Sequence, residues 1–170
     1  MRQDKFKREI YDQKVSSDIF AEQIEKRSDW IGCVPDTIFK KVLPNLQTWQ
    51  IAPRENHLIG MAFGASLAGK NPTVLIQNSG LGLCLDALLG TFCLYKKGLL
   101  MIISNRGILS WEEPQHKDWG KCTESILSAA KIEIVRFDEE GEEGFERASI
   151  SAFEKNKIVA LVVQRGNLDE

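Results

Sequence analysis

The chain has 170 residues, which is enough for about one domain, so we do not expect separate cofactor and substrate domains within it. Hydrophobic residues make up 43% and charged residues 27%, close to globular averages, which excludes disordered, collagen-like and disulfide-scaffold classes. The 22 basic and 24 acidic residues give a net charge of −2, which argues against a nucleic-acid partner.

The first fourteen residues mix charges of both signs and lack the apolar stretch of a signal peptide. We therefore predict a polar N-terminal extension over 1–14 and a single domain over 15–170. No run approaches the ~20 apolar residues of a membrane-spanning helix, so we expect a cytoplasmic protein without a membrane partner. The four cysteines have no Cys-x-x-Cys spacing and are interpreted as small buried hydrophobes: Cys33, Cys84, Cys93 and Cys122. Two histidines are too few for a zinc site, and we expect no metal ligated by this chain.

The first third of the chain predicts alternating helices and short strands. Apolar residues at helical spacing predict a helix over 16–30, followed by a strand over 30–34. Asp36 is placed to cap a helix that continues to about Leu46, and residues 48–52 form a second short strand. A helix over 55–69 is rich in small residues, which allows another backbone to approach closely.

The remainder of the chain contains three continuously apolar runs, at 73–76, 99–103 and 158–163. Such runs indicate strands buried on both faces, as in a parallel sheet covered by helices. Helical patterns at about 81–96, 123–130 and 142–155 and a weak strand at 132–135 complete the order. The acidic cluster at 138–143 opens the last helix, where carboxylates oppose the positive end of the dipole.

This order predicts the α/β class, with a doubly wound, six-stranded, mainly parallel sheet and helices on both faces. In that class, ligands bind beyond the carboxyl ends of the strands. Unusual residues concentrate there: Pro35 and Asp36 after the first strand, Glu55 after the second, 77–82 after the third and 104–116 after the fourth.

These loop residues carry signals of different strength. The run Gln-Asn-Ser-Gly-Leu-Gly at 77–82 is neither a Gly-x-Gly-x-x-Gly nor a Gly-Lys-Ser/Thr loop, so phosphate binding by this chain alone is not supported. Asp36 and Ser79 are also good helix caps, and a histidine such as His116 is often an ordinary surface residue. Glu55 begins an otherwise apolar helix, and a buried carboxylate is costly unless it finds a hydrogen-bond partner.

Taken together, five segments resemble the pyrimidine-binding half of thiamine diphosphate enzymes, in the branch of the sulfopyruvate and phosphonopyruvate decarboxylases. The resemblance covers about residues 15–165, and the run at 77–82 is its most specific part. The segments are Val34-Pro35-Asp36, Arg54-Glu55-Asn56, the run at 77–82, Ser104-Asn105-Arg106-Gly107 and Glu113-Pro114-Gln115-His116.

The resemblance implies a catalytic role for Glu55, because in this family a glutamate bonds N1′ of the aminopyrimidine and favours the imino tautomer that deprotonates thiazolium C2. Decarboxylation of a 2-oxo acid to an aldehyde and CO2 follows. It also implies that His116 transfers a proton or contacts substrate. The implied cofactor contacts are Glu55, Pro35, Gln77 and Asn78, and the implied substrate contacts are Asp36, Asn78, Ser79, Arg106 (or Lys117), Gln115 and His116.

The second half of such a site is missing from this chain, since it contains no Gly-Asp-Gly. The resemblance therefore implies a separate diphosphate-binding subunit that carries Gly-Asp-Gly and holds Mg²⁺. It also implies self-association through the pyrimidine-binding domain, because the small-residue helix can pack closely against a symmetry mate.

Some residues depart from the family pattern. Leu83 and Asp86 stand where the family commonly has asparagines, and Gly-Cys-Val-Pro-Asp at 32–36 is one residue longer than usual. These departures leave the 2-oxo acid open. They also leave two alternative functions: a carboligase that forms acyloins, and a non-catalytic regulatory subunit.

Overall fold

The computed structural model describes residues 14–169 and contains one sheet of six parallel strands. The strands are β1 (Trp30–Cys33), β2 (Gln50–Ile51), β3 (Pro72–Gln77), β4 (Leu99–Asn105), β5 (Glu133–Arg136) and β6 (Ile158–Gln164). Their order across the sheet is β2-β1-β3-β4-β6-β5. The chain leaves β1 toward one edge and β3 toward the other, so a crevice opens between the carboxyl ends of β1 and β3.

Five helices cover the two faces of the sheet. They are α1 (Ser17–Arg27), α2 (Glu55–Leu67), α3 (Leu81–Ala87), α4 (Pro114–Ala129) and α5 (Phe137–Phe153), and α3 continues into a π-helical segment, Leu88–Cys93. Residues of α1 and α5 share one apolar core, and residues of α2, α3 and α4 share the other. Within residues 14–169, none of the helices combines the length and apolar character that a bilayer crossing requires.

The side chains of β4 show why the continuous apolar runs predicted the fold. Leu100 and Ile102 lie in the core beneath α1 and α5, whereas Leu99, Met101 and Ile103 lie in the core beneath α2, α3 and α4. A central parallel strand buries both faces and has no polar alternation. The predicted doubly wound sheet is confirmed, and all of its strand pairs are parallel.

The predicted helix from Asp36 to about Leu46 is wrong. Asp36 does cap a turn, because its Oδ1 accepts a 2.9 Å hydrogen bond from the backbone N–H of Ile38. Two short 3-10 turns, Thr37–Phe39 and Leu43–Asn45, follow in place of an α-helix. Pro44 has no backbone N–H to donate within a helix, and the local bonds, such as Leu46 N to Leu43 O, join residues three apart.

Two helices begin earlier than the sequence predicts. α4 begins at Pro114 rather than near 123, and a proline is favoured at the first helical position. α5 begins at Phe137, and Gly141 (φ 54, ψ −138) kinks it just before the predicted start at 142. The first turn contains three of the acidic residues, as predicted: Asp138, Glu139 and Glu140. The predicted extension lies outside the described residues except for Lys14, and the domain limits 15–170 stay a prediction.

Candidate functional site

Glu55 and Gly80 bring two of the predicted motifs into contact. Glu55 is the half-buried first residue of α2, and Gly80 precedes α3 at the end of the loop after β3. A Cβ atom at Gly80 would lie 2.1 Å from Glu55 Cδ and 2.4 Å from Oε1. Only glycine therefore allows the Glu55 carboxyl group to lie on this loop.

Cys84 lies one turn further along α3 and is part of the wall beside Glu55. Burial and, to a lesser degree, the negative charge of Glu55 together raise the pKa of the Cys84 thiol to about 12. Burial and the charge of Asp36 likewise raise the pKa of Cys33 to about 12. Both are buried, as predicted. Cys93 is exposed and Cys122 half-buried, so the prediction of four buried cysteines is wrong for these two, which lie on outward-facing helix positions.

Gln77, Ser79 and His116 form a second contact between motifs. The carboxamide nitrogen of Gln77, at the end of β3, lies 2.5 Å from Ser79 Oγ and 3.5 Å from His116 Nε2. The imidazole Nδ1 is buried and has no hydrogen-bond partner within residues 14–169. The structure thus brings together three residues that the sequence predicts at the site.

The position of His116 is set by backbone packing around Gly107. Gly107 has a φ of +90°, and a Cβ there would lie 1.9 Å from the His116 carbonyl oxygen. A Cβ at Gly120 would in turn lie 2.6 Å from the carbonyl carbon of Gly107. Two glycines therefore let the loop after β4 lie against the first turns of α4, where His116 sits.

Trp119 is a site residue that sequence reasoning missed. It follows His116 by three residues on α4, and i, i+3 side chains share a helix face. A Cβ at Gly82 would lie 3.0 Å from Trp119 Cη2, so the indole ring lies over the 77–82 loop. The stretch 114–122 carries no apolar period, so only the tryptophan itself could have drawn attention to this position.

Asn78 is fully buried and ties three elements together. Its Nδ2 lies 3.0 Å from Asn105 Oδ1, 2.9 Å from Arg106 O and 3.0 Å from Thr123 Oγ1. Its Oδ1 is buried without a partner among the described residues. The nitrogen is committed to the protein, so Oδ1 is the one atom of this fully buried side chain left for a further hydrogen bond.

Asp36, Arg106 and Glu112 form a buried network, which we call the loop cluster. Arg106 Nε donates to Glu112 Oε1 at 3.0 Å, and its Nη1 lies 2.8 Å from Thr37 Oγ1 and 3.4 Å from Asp36 Oδ2. Asp36 Oδ1 also accepts from Ser104 Oγ at 2.8 Å. The cluster joins the loops after β1 and β4, and the Arg106 side chain is only 7% exposed.

Glu112 was not predicted as a site residue, although it anchors the loop after β4. Its Oε2 accepts hydrogen bonds from the backbone N–H groups of Gly107 (2.7 Å) and Leu109 (3.1 Å). One of two adjacent glutamates, Glu112 and Glu113, gives no sequence signal of such a role. The remaining predicted contacts are exposed: Pro35 lies on the loop after β1, and Gln115 lies with Lys117 in the first turn of α4.

Large apolar side chains are exposed on α2, on α3 and on the helical segment after α3, and we call them the apolar face. It contains five large side chains that are between 39% and 70% exposed: Met61, Leu67, Leu83, Leu89 and Leu94. Open space lies above Gly60 and Gly64 on α2. Large exposed apolar surfaces are typical of interaction sites.

The oxygen atoms at the site fit an aminopyrimidine ring as hydrogen-bonding partners. Glu55 presents a carboxyl group beside a glycine cradle, and two buried amide oxygens, Asn56 Oδ1 and Asn78 Oδ1, have no partner within residues 14–169. Amide oxygens and a carboxyl group match the N–H and amino groups of such a ring. Within the described part of the chain, no group of three or more His, Cys, Asp or Glu side chains could hold a metal ion.

No protein-family model matches this chain. By fold, it is similar to a 2-oxoglutarate:ferredoxin oxidoreductase from Magnetococcus marinus, solved with 2-oxoglutarate, coenzyme A and succinyl-CoA bound. The TM-score is 0.69 at 15% identity over 89% of this chain and 29% of that one. This likeness shows the fold alone, a parallel α/β sheet covered by helices.

Sequence comparison finds sulfopyruvate decarboxylase alpha subunits. The subunit from Methanocaldococcus jannaschii is 36% identical over 81 residues, which span about half (48%) of each chain. The subunit from Methanococcus maripaludis is 32% identical over 122 residues, which cover 69% of this chain and 73% of the relative. The chain therefore belongs to the family of sulfopyruvate decarboxylase alpha subunits.

Proposed function

We propose that this chain is the pyrimidine-binding subunit of a two-chain, thiamine diphosphate-dependent 2-oxo acid decarboxylase that yields an aldehyde and CO2. The observation that carries the proposal is the Glu55 carboxyl group lying on Gly80, at the crevice between β1 and β3. A carboxyl group fixed by a helix start and a glycine loop is suited to hold one ring nitrogen in a defined place.

Glu55 is the catalytic residue of this proposal. Its carboxyl group would share a proton with N1′ of the aminopyrimidine ring, while Pro35, Gln77 and Asn78 would line the ring. The bound cofactor supplies the carbanion and the electron sink that decarboxylation requires. No hydrogen bond or ion pair within residues 14–169 occupies the Glu55 carboxylate, which leaves it available to the ring.

On the substrate side, we propose that His116 contacts the reacting 2-oxo acid or moves a proton there, with Ser79 and Gln115 beside it. The Nε and Nη1 atoms of Arg106 already bond Glu112 and Thr37. The contribution of Arg106 and Asp36 to substrate binding is therefore to fix the loops that carry the contacting residues.

The rest of the active site belongs to a partner in this proposal. A separate subunit with Gly-Asp-Gly would hold Mg²⁺ and the diphosphate, and the complex would act in the cytoplasm. The apolar face on α2, with open space above Gly60 and Gly64, would pack against a second copy of this chain. Glu55 begins the same helix, so that contact would place it at an interface.

A carboligase that forms acyloins is the second candidate function. Leu83, which stands where the family commonly has asparagine, is 51% exposed and gives this part of the site an apolar surface. Such a surface favours an apolar acceptor or substrate. Product analysis with candidate 2-oxo acids, with and without an acceptor aldehyde, separates aldehyde release from acyloin formation.

The proposal is tested by combining this chain with a Gly-Asp-Gly partner subunit, thiamine diphosphate and Mg²⁺. We expect CO2 release from a 2-oxo acid with both chains present and none with this chain alone. Glu55→Ala should abolish it, while Glu22→Ala, at an exposed position of α1, should not. Full activity of the Glu55→Ala complex would favour a non-catalytic regulatory subunit instead.

A further inference from the structure

A single carboxamide group connects the end of β3 to the start of α4. Gln77 Nε2 lies within hydrogen-bond distance of both Ser79 Oγ (2.5 Å) and His116 Nε2 (3.5 Å). An amide nitrogen carries two hydrogens and accepts none, so in this orientation it donates one to each neighbour. Catalytic hydrogen bonds are often long in ligand-free proteins, and 3.5 Å fits that behaviour.

The direction of this hydrogen bond determines where the imidazole proton sits. If Gln77 donates to Nε2 of His116, that nitrogen accepts, and the neutral ring carries its proton on Nδ1. Nδ1 is buried and has no partner within residues 14–169. Buried donors without an acceptor are rare in folded proteins, so this N–H is expected to meet one on a ligand.

The neighbouring backbone fixes the turn of α4 that carries His116. A Cβ at Gly107 would come within 1.9 Å of the His116 carbonyl oxygen, so the loop after β4 is packed directly on this turn of α4. Ser79 takes the other amide hydrogen of Gln77 and thereby orients the carboxamide toward the ring.

We propose that Gln77 is a positioning residue that fixes the Nδ1–H tautomer of His116, so that Nδ1 donates a hydrogen bond to an oxygen atom of the bound 2-oxo acid. The identity of the ligand rests on the proposed function, whereas the tautomer does not. Between the two roles predicted for His116, this assigns contact with a substrate oxygen. Gln77 thereby acts through His116 in addition to lining the cofactor.

The tautomer is measured by imidazole ¹⁵N NMR on the full chain, because long-range ¹H–¹⁵N couplings distinguish a protonated ring nitrogen from a bare one. The chain has two histidines, and the exposed His57 serves as an internal reference. Spectra are recorded on the alkaline side of each imidazole titration. We expect the Nδ1–H form for His116 in the unmodified chain.

Three variants sharpen the measurement. Gln77→Glu keeps the shape but replaces the donor by an acceptor, so the proton should move to Nε2. Gln77→Met removes both hydrogen-bonding groups and should give a mixture of tautomers. Gln50→Glu, on the exposed edge strand, should change nothing. Thermal unfolding of each variant confirms that it is folded.

An Nε2–H form of His116 in the unmodified chain would overturn the proposal, because the carboxamide would then face the ring through its oxygen. So would a spectrum that Gln77→Glu leaves unchanged. Decarboxylase activity of the two-chain complex is assayed separately. If the unmodified complex has no decarboxylase activity but His116 is in the Nδ1–H form, the proposed function is rejected and the positioning role of Gln77 stands.

Discussion

Two polar clusters lie at the carboxyl edge of the same sheet. They differ in whether their side-chain atoms have hydrogen-bond partners within the protein. In the loop cluster, the charged side chains of Asp36, Arg106 and Glu112 bond one another or nearby N–H and O–H groups. The second cluster consists of Glu55, the residues of the 77–82 loop and His116. In it, the Glu55 carboxylate and the imidazole Nδ1 have no hydrogen-bond partner within residues 14–169.

Hydrogen-bond satisfaction separates residues that support the site from residues that react in it. A buried ion network whose members are satisfied holds loops in place, because removing one member leaves uncompensated charge. Buried polar atoms without partners are uncommon in folded proteins and indicate a ligand or a functional constraint. We therefore propose that Arg106 supports the site, while Glu55 and His116 contact its ligands.

The largest expected effect tests the loop cluster. Arg106→Met leaves Asp36 and Glu112 buried without their cation, and we expect a loss of about 3–5 kcal/mol in the free energy of unfolding. The control, Arg136→Met, breaks a half-exposed pair with Glu124 and should cost about 1 kcal/mol or less. Urea unfolding measures both. Equal losses would show that the buried cluster is no more important than a surface pair.

The next prediction tests the close approach of Glu55 to Gly80. Gly80→Ala places a methyl group 2.1 Å from Glu55 Cδ, so the carboxyl group must move. A displacement of that size costs about 10²-fold in activity, or about 2.7 kcal/mol. Gly82→Ala approaches only the far end of Trp119, at 3.0 Å, and should cost much less. Decarboxylation by the two-chain complex measures both, and similar losses would contradict the account.

Asn78 lies between the two clusters and should show an intermediate effect on stability. Asn78→Ala removes the donor to Asn105, Arg106 and Thr123 and leaves buried acceptors unsatisfied. We expect a loss of about 2 kcal/mol in the free energy of unfolding. Asn45→Ala, at an exposed turn, is the control. An Asn78→Ala variant with the unfolding free energy of the unmodified chain would show that this side chain does not stabilise the fold.

The smallest effect concerns the cysteine beside Glu55. Because its raised pKa of about 12 keeps the Cys84 thiol protonated at neutral pH, iodoacetamide should not modify it in the folded chain. The exposed Cys93 should react first. Glu55→Gln removes only the lesser cause of the shift, so Cys84 should stay unreactive. Mass spectrometry of the labelled peptides would reveal rapid labelling of Cys84, which would indicate that this wall opens to solvent.

The central strands were predictable because a strand that is buried on both faces has a continuous run of apolar residues. The start of α4 was not, since residues 114–122 are mainly polar and depend on tertiary packing. There, the close approach of Gly107 to His116 fixes the backbone. The prediction of a helix over 36–46 was wrong because a favourable cap at Asp36 does not compensate for the backbone N–H that Pro44 lacks.

The site was predictable as a set of residues rather than as a set of contacts. Glu55 and Gly80 are far apart in sequence and meet only because the ends of β3 and the start of α2 share one crevice. Glu112 and Trp119 were missed because a glutamate beside another glutamate and an isolated aromatic residue give no periodic signal. Three-dimensional packing alone assigns them to the loop cluster and to the 77–82 loop.

The most direct test of the central claim is the exchange of the thiazolium C2 proton with deuterium in the assembled two-chain complex, followed by NMR after acid quench. If Glu55 assists that deprotonation through the aminopyrimidine, Glu55→Gln should slow the exchange by at least about 10²-fold. The exposed Glu22→Gln variant should exchange at the unmodified rate. An exchange rate that Glu55→Gln leaves unchanged would contradict the account.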